Sequence, residues 1–213
     1  MPSARSLPAA IFGLIVALSA ASAPAALAQE PYRVRGTLKA VAGDQLLVSS
    51  REGELMGFQL GPELGVFAVT PARIDDIKQG EFVGLTSIQS GGRRVALEAH
   101  LFAEDLRGLG EGHYAWDLVQ EPNMMTNATV AEVKEAGPDR QLEVSYREGE
   151  AKVEGAQTIY LAPDVPIVRL ARSDDRSLLQ AGKEVVLIVR PERDLTPVVI
   201  AVVVGDRGAQ PPM

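Results

Sequence analysis

Ser50-Arg51-Glu52-Gly53-Glu54 (SREGE) and Tyr146-Arg147-Glu148-Gly149-Glu150 (YREGE) are nearly the same five residues, 96 positions apart. Each follows a short run in which apolar and polar residues alternate. The likeness extends outward in both directions. Upstream, Gly36-Thr37-Leu38-Lys39-Ala40-Val41 matches Ala128-Thr129-Val130-Ala131-Glu132-Val133 at an offset of 92; downstream, Ile77-Lys78-Gln79-Gly80-Glu81-Phe82-Val83 matches Leu179-Gln180-Ala181-Gly182-Lys183-Glu184-Val185 at an offset of 102. Offsets that grow along the chain are those of one element order made twice, with extra residues in the connecting loops, where chain length is tolerated at small entropic cost. The chain therefore reads as two copies of one small domain.

Each copy reads as β structure. Val34, Gly36, Leu38 and Ala40 alternate with polar neighbours, Gly43-Asp44 marks a turn, and Gly53 supplies the freedom for the next one. Further strand segments are 46–49, 55–60, 66–70, 81–89 and 94–102 in the first copy, and 128–135, 141–146, 151–160, 167–170, 184–189 and 198–204 in the second. Between the fourth and fifth strands of each copy, 74–80 and 176–182 have the spacing of one helical turn closed by glycine. A small domain of five to six strands cannot cover both faces of an open sheet, so closure into a barrel is expected. The expected fold is all-β: two tandem small OB-like barrels, 29–106 and 127–205, joined by a connector at 107–126 and followed by a disordered tail at 206–213.

The N-terminus reads as an export signal. Arg5 precedes an uncharged apolar run from Leu7 to Leu27 that ends Ala26-Leu27-Ala28, a small-residue cleavage pattern, so residues 1–28 are expected to be removed. The densest apolar core, Ile11 to Leu18, is shorter than the roughly 20 residues a membrane span needs. Later in the chain the longest apolar run, Val198 to Val204, has strand length, so the expectation is a periplasmic or secreted protein that does not span the membrane after cleavage. The chain has no cysteine and a net charge of −7, which loss of Arg5 makes more negative. The first excludes disulfides, thiolate metal sites and cysteine nucleophiles; the second argues against nucleic acid as a partner.

These features resemble a family of exported alphaproteobacterial proteins with tandem small β-barrel domains of unknown function. The resemblance is carried by the opening Val34 to Val41, by the segment Ile77 to Val83, and most specifically by the central Gly108 to Asp117, with Gly110, Gly112, His113 and Trp116, followed by Met125 to Val130. The second copy departs from the opening pattern, with Ala128 in the place of Gly36. Some members of that family carry the label of metal ABC transporter permease, which fits poorly with a chain whose expected mature form has no span. The resemblance implies fold and compartment and assigns no activity.

The connector concentrates chemistry. It holds Trp116, the only tryptophan, and His113, one of two histidines. Trp116 and Tyr114 are amphipathic rings suited to seal the seam between two barrels, with His113, Asp117 and Asn127 as hydrogen-bonding neighbours and Arg107 at the edge. The same side chains would wall a ligand groove at a domain junction, where ligands are often held. Metal binding through His113 with Met124 or Met125, joined by His100 or Met56, is the copper-type alternative. The motifs of serine hydrolases, zinc proteases, phosphate-binding loops and EF-hands are missing, and the pairs Asp75-Asp76 and Asp174-Asp175 read as helix-start and solvating charges. The resulting expectation is a non-enzymatic binding or envelope-interaction module without a cofactor, its partner a small ligand or an envelope protein.

Overall fold

The structure, a computed structural model, describes residues 30–192 and 196–211; the expected signal segment, 1–28, lies outside the described residues. The chain is all-β, and the helical content among the described residues is three 3-10 turns of three residues each. Twelve strands run in chain order: β1 (Tyr32–Ala42), β2 (Gln45–Ser50), β3 (Leu55–Pro71), β4 (Phe82–Ser90), β5 (Arg93–Phe102), β6 (Gly112–Trp116), β7 (Asn123–Ala136), β8 (Asp139–Glu148), β9 (Val153–Leu161), β10 (Ile167–Ser173), β11 (Glu184–Arg190) and β12 (Val198–Gly205). Eleven of them account for the twelve strand segments read from the sequence, because 55–60 and 66–70, read as two strands, are one continuous strand, β3. β6, inside the glycine-rich connector, corresponds to none of those segments.

The strands β1, β2 and β3 form a meander, β11 and β12 form a hairpin against β1, and β12 runs parallel to β3 from the pair Val198 and Gln59 to the pair Gly205 and Val69. This closes a five-stranded barrel. The remaining strands repeat the arrangement: β7, β8 and β9 form a meander, β4 and β5 a hairpin against β7, and β5 touches β9 in parallel at Arg94 with Ile159 and Val95 with Tyr160. Between the two rings, β10 pairs antiparallel with β3 and parallel with β5.

Each ring therefore takes its meander from one repeat and its hairpin from the other. The barrel divisions 29–106 and 127–205 do not follow this pairing, and neither stretch closes a ring by itself. The reason lies in β3. It runs for 17 residues, and its last six pair with β10, which carries the chain across the seam. There the Ala72 N–H donates to the Ile167 carbonyl at 3.0 Å, and Ile77, just after the 3-10 turn Ile74–Asp76, enters the core of the second ring at 2% exposure. The return crossing follows β10, and Leu179, after the turn Arg176–Leu178, enters the first core.

The exchange is reciprocal at atomic detail. Leu38 on β1 bonds Gly182 and Lys183 of the far repeat; Val130 on β7 bonds Gly80 and Glu81 in the same way. Register shifts recur at equivalent places. One lies between Leu38 and Ala40 and its counterpart between Val130 and Glu132; another lies between Thr86 and Ser87 and its counterpart between Ile188 and Val189. These are the offsets of the sequence matches, so duplication preserved bulges as well as strands.

Three apolar clusters result: one inside each ring, and a third at the seam built from Val69, Phe82, Phe102, Leu106, Val168, Leu170, Val186 and Val203. The expected disordered tail departs from expectation over residues 206–211. The Asp206 N–H donates to Val69 O at 2.8 Å, the Ala209 N–H to Asp206 O at 2.9 Å, and Ala209 packs on the seam cluster. A backbone hydrogen bond to β3 outweighs the turn-rich composition. Residues 212–213 lie outside the described residues.

Candidate functional site at the seam

On β4, β5 and β7 the residues that point into the second ring are apolar: Val83, Leu85, Ala99, Leu101 and Ala128. The alternate residues, Gly84, Thr86, Glu98, His100, Phe102, Met125 and Asn127, fall on the outer face. In an isolated barrel that face would meet water. Here the outer face of the first ring covers it, and a cavity of about 300 Å³ remains between them, walled by Phe67, Val69, Ala201 and Val203 on one side and His100, Phe102, Met125 and Asn127 on the other. The connector forms its mouth. Tyr114 and Trp116 line it, as does Leu109, a large apolar side chain left 49% exposed.

The floor depends on Gly84. It pairs with His100 across β5 and with Asn127 across β7. A Cβ on Gly84 would collide with the His100 imidazole and stand 2.6 Å from Asn127 Oδ1, so only glycine lets these two polar side chains lie side by side. Asn127 is held by its amide nitrogen, which donates to Leu109 O (3.3 Å), Gly110 O (3.1 Å) and Tyr114 Oη (3.0 Å). Two of those acceptors are backbone carbonyls, which fixes the amide orientation and turns Oδ1 the other way. Gly110 has φ of +61°, and a Cβ there would lie 2.9 Å from Asn127 Nδ2, so the loop needs glycine both for its twist and for this contact.

Three side chains that line the cavity carry a buried polar atom without a hydrogen-bond partner: His100 Nδ1, Asn127 Oδ1 and Trp116 Nε1. Burial pushes the His100 imidazole down to about 4, so it is neutral at pH 7. Two residues along β5, Glu98 is 3% exposed and accepts a 2.6 Å hydrogen bond from Thr86 Oγ1. Burial pushes its carboxyl up to about 7, against the Thr86 bond and the charges of Arg35 and Arg51.

Trp116 and Asp117 tie the connector to β1 of the first ring. The Arg33 guanidinium lies 3.9 Å from the Trp116 ring centroid and that of Arg35 at 5.9 Å. Both arginines bond Asp117 Oδ1, Arg33 Nε at 3.3 Å and Arg35 Nη2 at 2.7 Å. Burial opposes ionisation of Asp117, yet Arg35 and then Arg33 hold its carboxyl below the usual range. Tyr114 meets Trp116 edge to face at 5.9 Å.

The residues singled out in the sequence thus divide. Tyr114, Trp116, Asp117, Asn127 and Met125 come together at the seam. His113 faces the other side of β6, where it bonds Thr126 Oγ1 at 2.8 Å through Nδ1 and stacks on Tyr146 at 5.9 Å; burial, then the Arg94 charge, lowers its pKa. Strand alternation places Met125 on the face opposite His113 and Met124 on the same face as His113, and no group of three histidine, aspartate or glutamate side chains able to hold a metal occurs among the described residues. Arg107 is bound elsewhere, to Glu104 at 2.6 Å and to Gly80 O at 3.0 Å. Of the acidic pairs, Asp175 caps its turn by accepting from Ser177 N at 2.8 Å, Asp76 ends its turn and accepts from Arg73 N at 2.9 Å, and Asp75 accepts from Arg140 Nη2 at 2.6 Å. Arg33, Arg35, Gly84 and Glu98 were not singled out by sequence reasoning; their significance comes from burial by the opposing ring. No helix among the described residues is long and apolar enough to cross a membrane. No family model, curated protein or solved structure matches the chain.

Proposed function

We propose that this chain is an exported, non-enzymatic binding protein made of two OB-like barrels, and that its ligand is a small molecule held in the cavity between them. The strand order supports the OB-like reading of each ring: first, second, third, fifth, fourth and back to first, with the third and fifth parallel. The sequence of the first 28 residues supports export; N-terminal sequencing of the released protein should begin at Gln29.

One observation carries the binding reading. The seam cavity is apolar, open at Leu109 and Tyr114, and furnished with unpartnered atoms on His100 and Asn127, which are 5% and 6% exposed. Leaving such atoms unpaired costs about 1–3 kcal/mol each, a cost a ligand relieves on entry. Apolar walls with a few convergent polar groups are the usual makeup of a small-molecule site. The connector serves two roles in this reading, wall of the site and clasp between the rings through Arg33, Arg35, Trp116 and Asp117.

The test is a fragment screen by NMR on the mature chain. Trp116 is its only tryptophan, so one indole N–H signal reports the cavity. Fragments that move this signal should lose binding in Ala201→Phe, which fills the cavity from the first ring, while the melting temperature is kept. Fragments that bind the variant as well as the parent, or a screen that never moves the indole signal, would overturn the reading.

A further inference from the structure

We infer that the seam cavity takes an uncharged two-ring aromatic molecule bearing a hydroxyl group, its rings lying among Phe67, Phe102, Tyr114 and Trp116 and its hydroxyl meeting Asn127 and His100. This rests on the reading of the cavity as a small-molecule site, and it names the ligand class.

Size gives the number of rings. An apolar cavity of about 150 Å³ holds one benzene, and this one measures about 300 Å³. The walls give the shape. Aromatic side chains approach from both rings of strands, with His100 and Phe102 edge to face at 4.9 Å, and such surfaces favour a flat partner stacked or edge-on.

The polar atoms give the head group. Asn127 Oδ1 can only accept, because its amide nitrogen is committed to Leu109 O, Gly110 O and Tyr114 Oη. The Trp116 indole N–H can only donate, and the neutral His100 ring offers one donor and one acceptor. A hydroxyl both donates and accepts, so one such group satisfies Asn127 Oδ1 and one of the two ring nitrogens at once. A charged head group finds no counterion. None of the residues lining the cavity is charged; Arg33 and Arg35 lie outside that lining, against Asp117, and so does the Glu98 carboxyl, which Thr86 bonds. Desolvating an ion in this cavity would therefore go uncompensated.

The experiment titrates the mature chain with 2-naphthol, naphthalene and 2-naphthoate at pH 7, following the Trp116 indole N–H. The expected result is saturable movement of that signal by 2-naphthol with an affinity about tenfold above that for naphthalene, the factor that about one well-made hydrogen bond supplies. 2-Naphthoate should bind more weakly than either. His100→Phe keeps the ring volume and removes the nitrogen; the preference for naphthol over naphthalene should shrink while naphthalene binding is retained. The comparison of probes on the parent protein stands even if that variant fails to fold. Equal binding of naphthol and naphthalene, or tighter binding of naphthoate, overturns the head-group assignment and leaves the cavity reading intact. No binding of any probe, while other fragments move the indole signal, removes the ligand class alone. Binding undiminished in Ala201→Phe removes the class and the cavity together.

Discussion

Glu98 and His100 show how a strand's outward face acquires chemistry once another ring covers it. Both lie on the same side of β5, and burial moves their pKa values in opposite directions: the Glu98 carboxyl rises to about 7 and the His100 imidazole falls to about 4. The consequences for stability carry opposite signs. A raised carboxyl favours the fold below the unfolded value of 4.5 and loses that contribution as pH climbs through 7. A depressed imidazole favours the fold above 6.5 and loses its contribution as pH falls through 4. Each is worth on the order of 3 kcal/mol when fully developed. Between pH 4.5 and 6.5 the two slopes offset each other, so the wild-type protein should vary little there. Glu98→Gln removes one slope and unmasks the other. Its stability should rise with pH across that interval and exceed that of the parent at pH 8, as followed by urea denaturation at a series of pH values. A variant curve parallel to that of the wild type would mean that Glu98 ionises as freely folded as unfolded. Gly84→Ala tests the same floor sterically. Overpacking of this kind costs about 1–3 kcal/mol, read as a lowered melting temperature, and should also close the cavity to any fragment.

The strands were legible because their cores alternate. Leu38 and Val48 in one ring, and Val130, Val144 and Ile159 in the other, each sit between polar or only partly buried neighbours, and all five are 1% exposed or less. The helical turns were legible from their glycine stops, since Gly80 and Gly182 both have φ near +90°. Strand β6 was not legible. Gly112-His113-Tyr114-Ala115-Trp116 carries no clean alternation of apolar and polar residues, and it pairs only with β7, at Tyr114 with Met125 and Trp116 with Asn123. Its apolar partners are supplied by the seam rather than by its own repeat. What anchors it is Asn127 from below and Arg33 with Arg35 from the side. Asn127→Ala should therefore free residues 108–116 without unfolding either ring. The loss of three hydrogen bonds is worth about 2 kcal/mol, and amide exchange in β6 should rise by at least tenfold, the factor for about 1.4 kcal/mol, while exchange in β2 and β8 stays as before. Trp116→Ala should do the same through loss of the Arg33 stacking, with similar magnitude. Unchanged exchange in either variant would mean that β6 is held by β7 and by the contacts of His113 with Tyr146 and Glu148 on β8, without help from that anchor.

At the scale of the whole molecule, the duplicated sequence pointed to two rings, but the exchange of hairpins between them had no sequence signature. Both ways of connecting meander to hairpin bury the same residues in the same kind of core; only the length of β3 and its pairing with β10 decide between them, and those are tertiary facts. The exchange has a thermodynamic consequence. In a tandem protein each barrel is a contiguous stretch that can unfold while the other persists. Here the first ring cannot release β11 and β12 without moving the chain that leads out of β10, and β10 is bonded to β5 of the second ring at Ile167 with Ala99 through Leu170 with Phe102. Opening the second ring likewise pulls β4 and β5 away from the end of β3. The two rings should therefore melt in one transition, with calorimetric and van't Hoff enthalpies in agreement. Leu187→Ala makes the test discriminating. Leu187 is fully buried in the first ring, and such a deletion costs about 2–5 kcal/mol. Coupled rings predict that the single transition moves down as a whole, and that amide protection falls in β8 of the second ring alongside β2 of the first. A second transition left at the original temperature, or lost protection confined to β1, β2, β3, β11 and β12, would show that the exchanged hairpins do not couple the two rings.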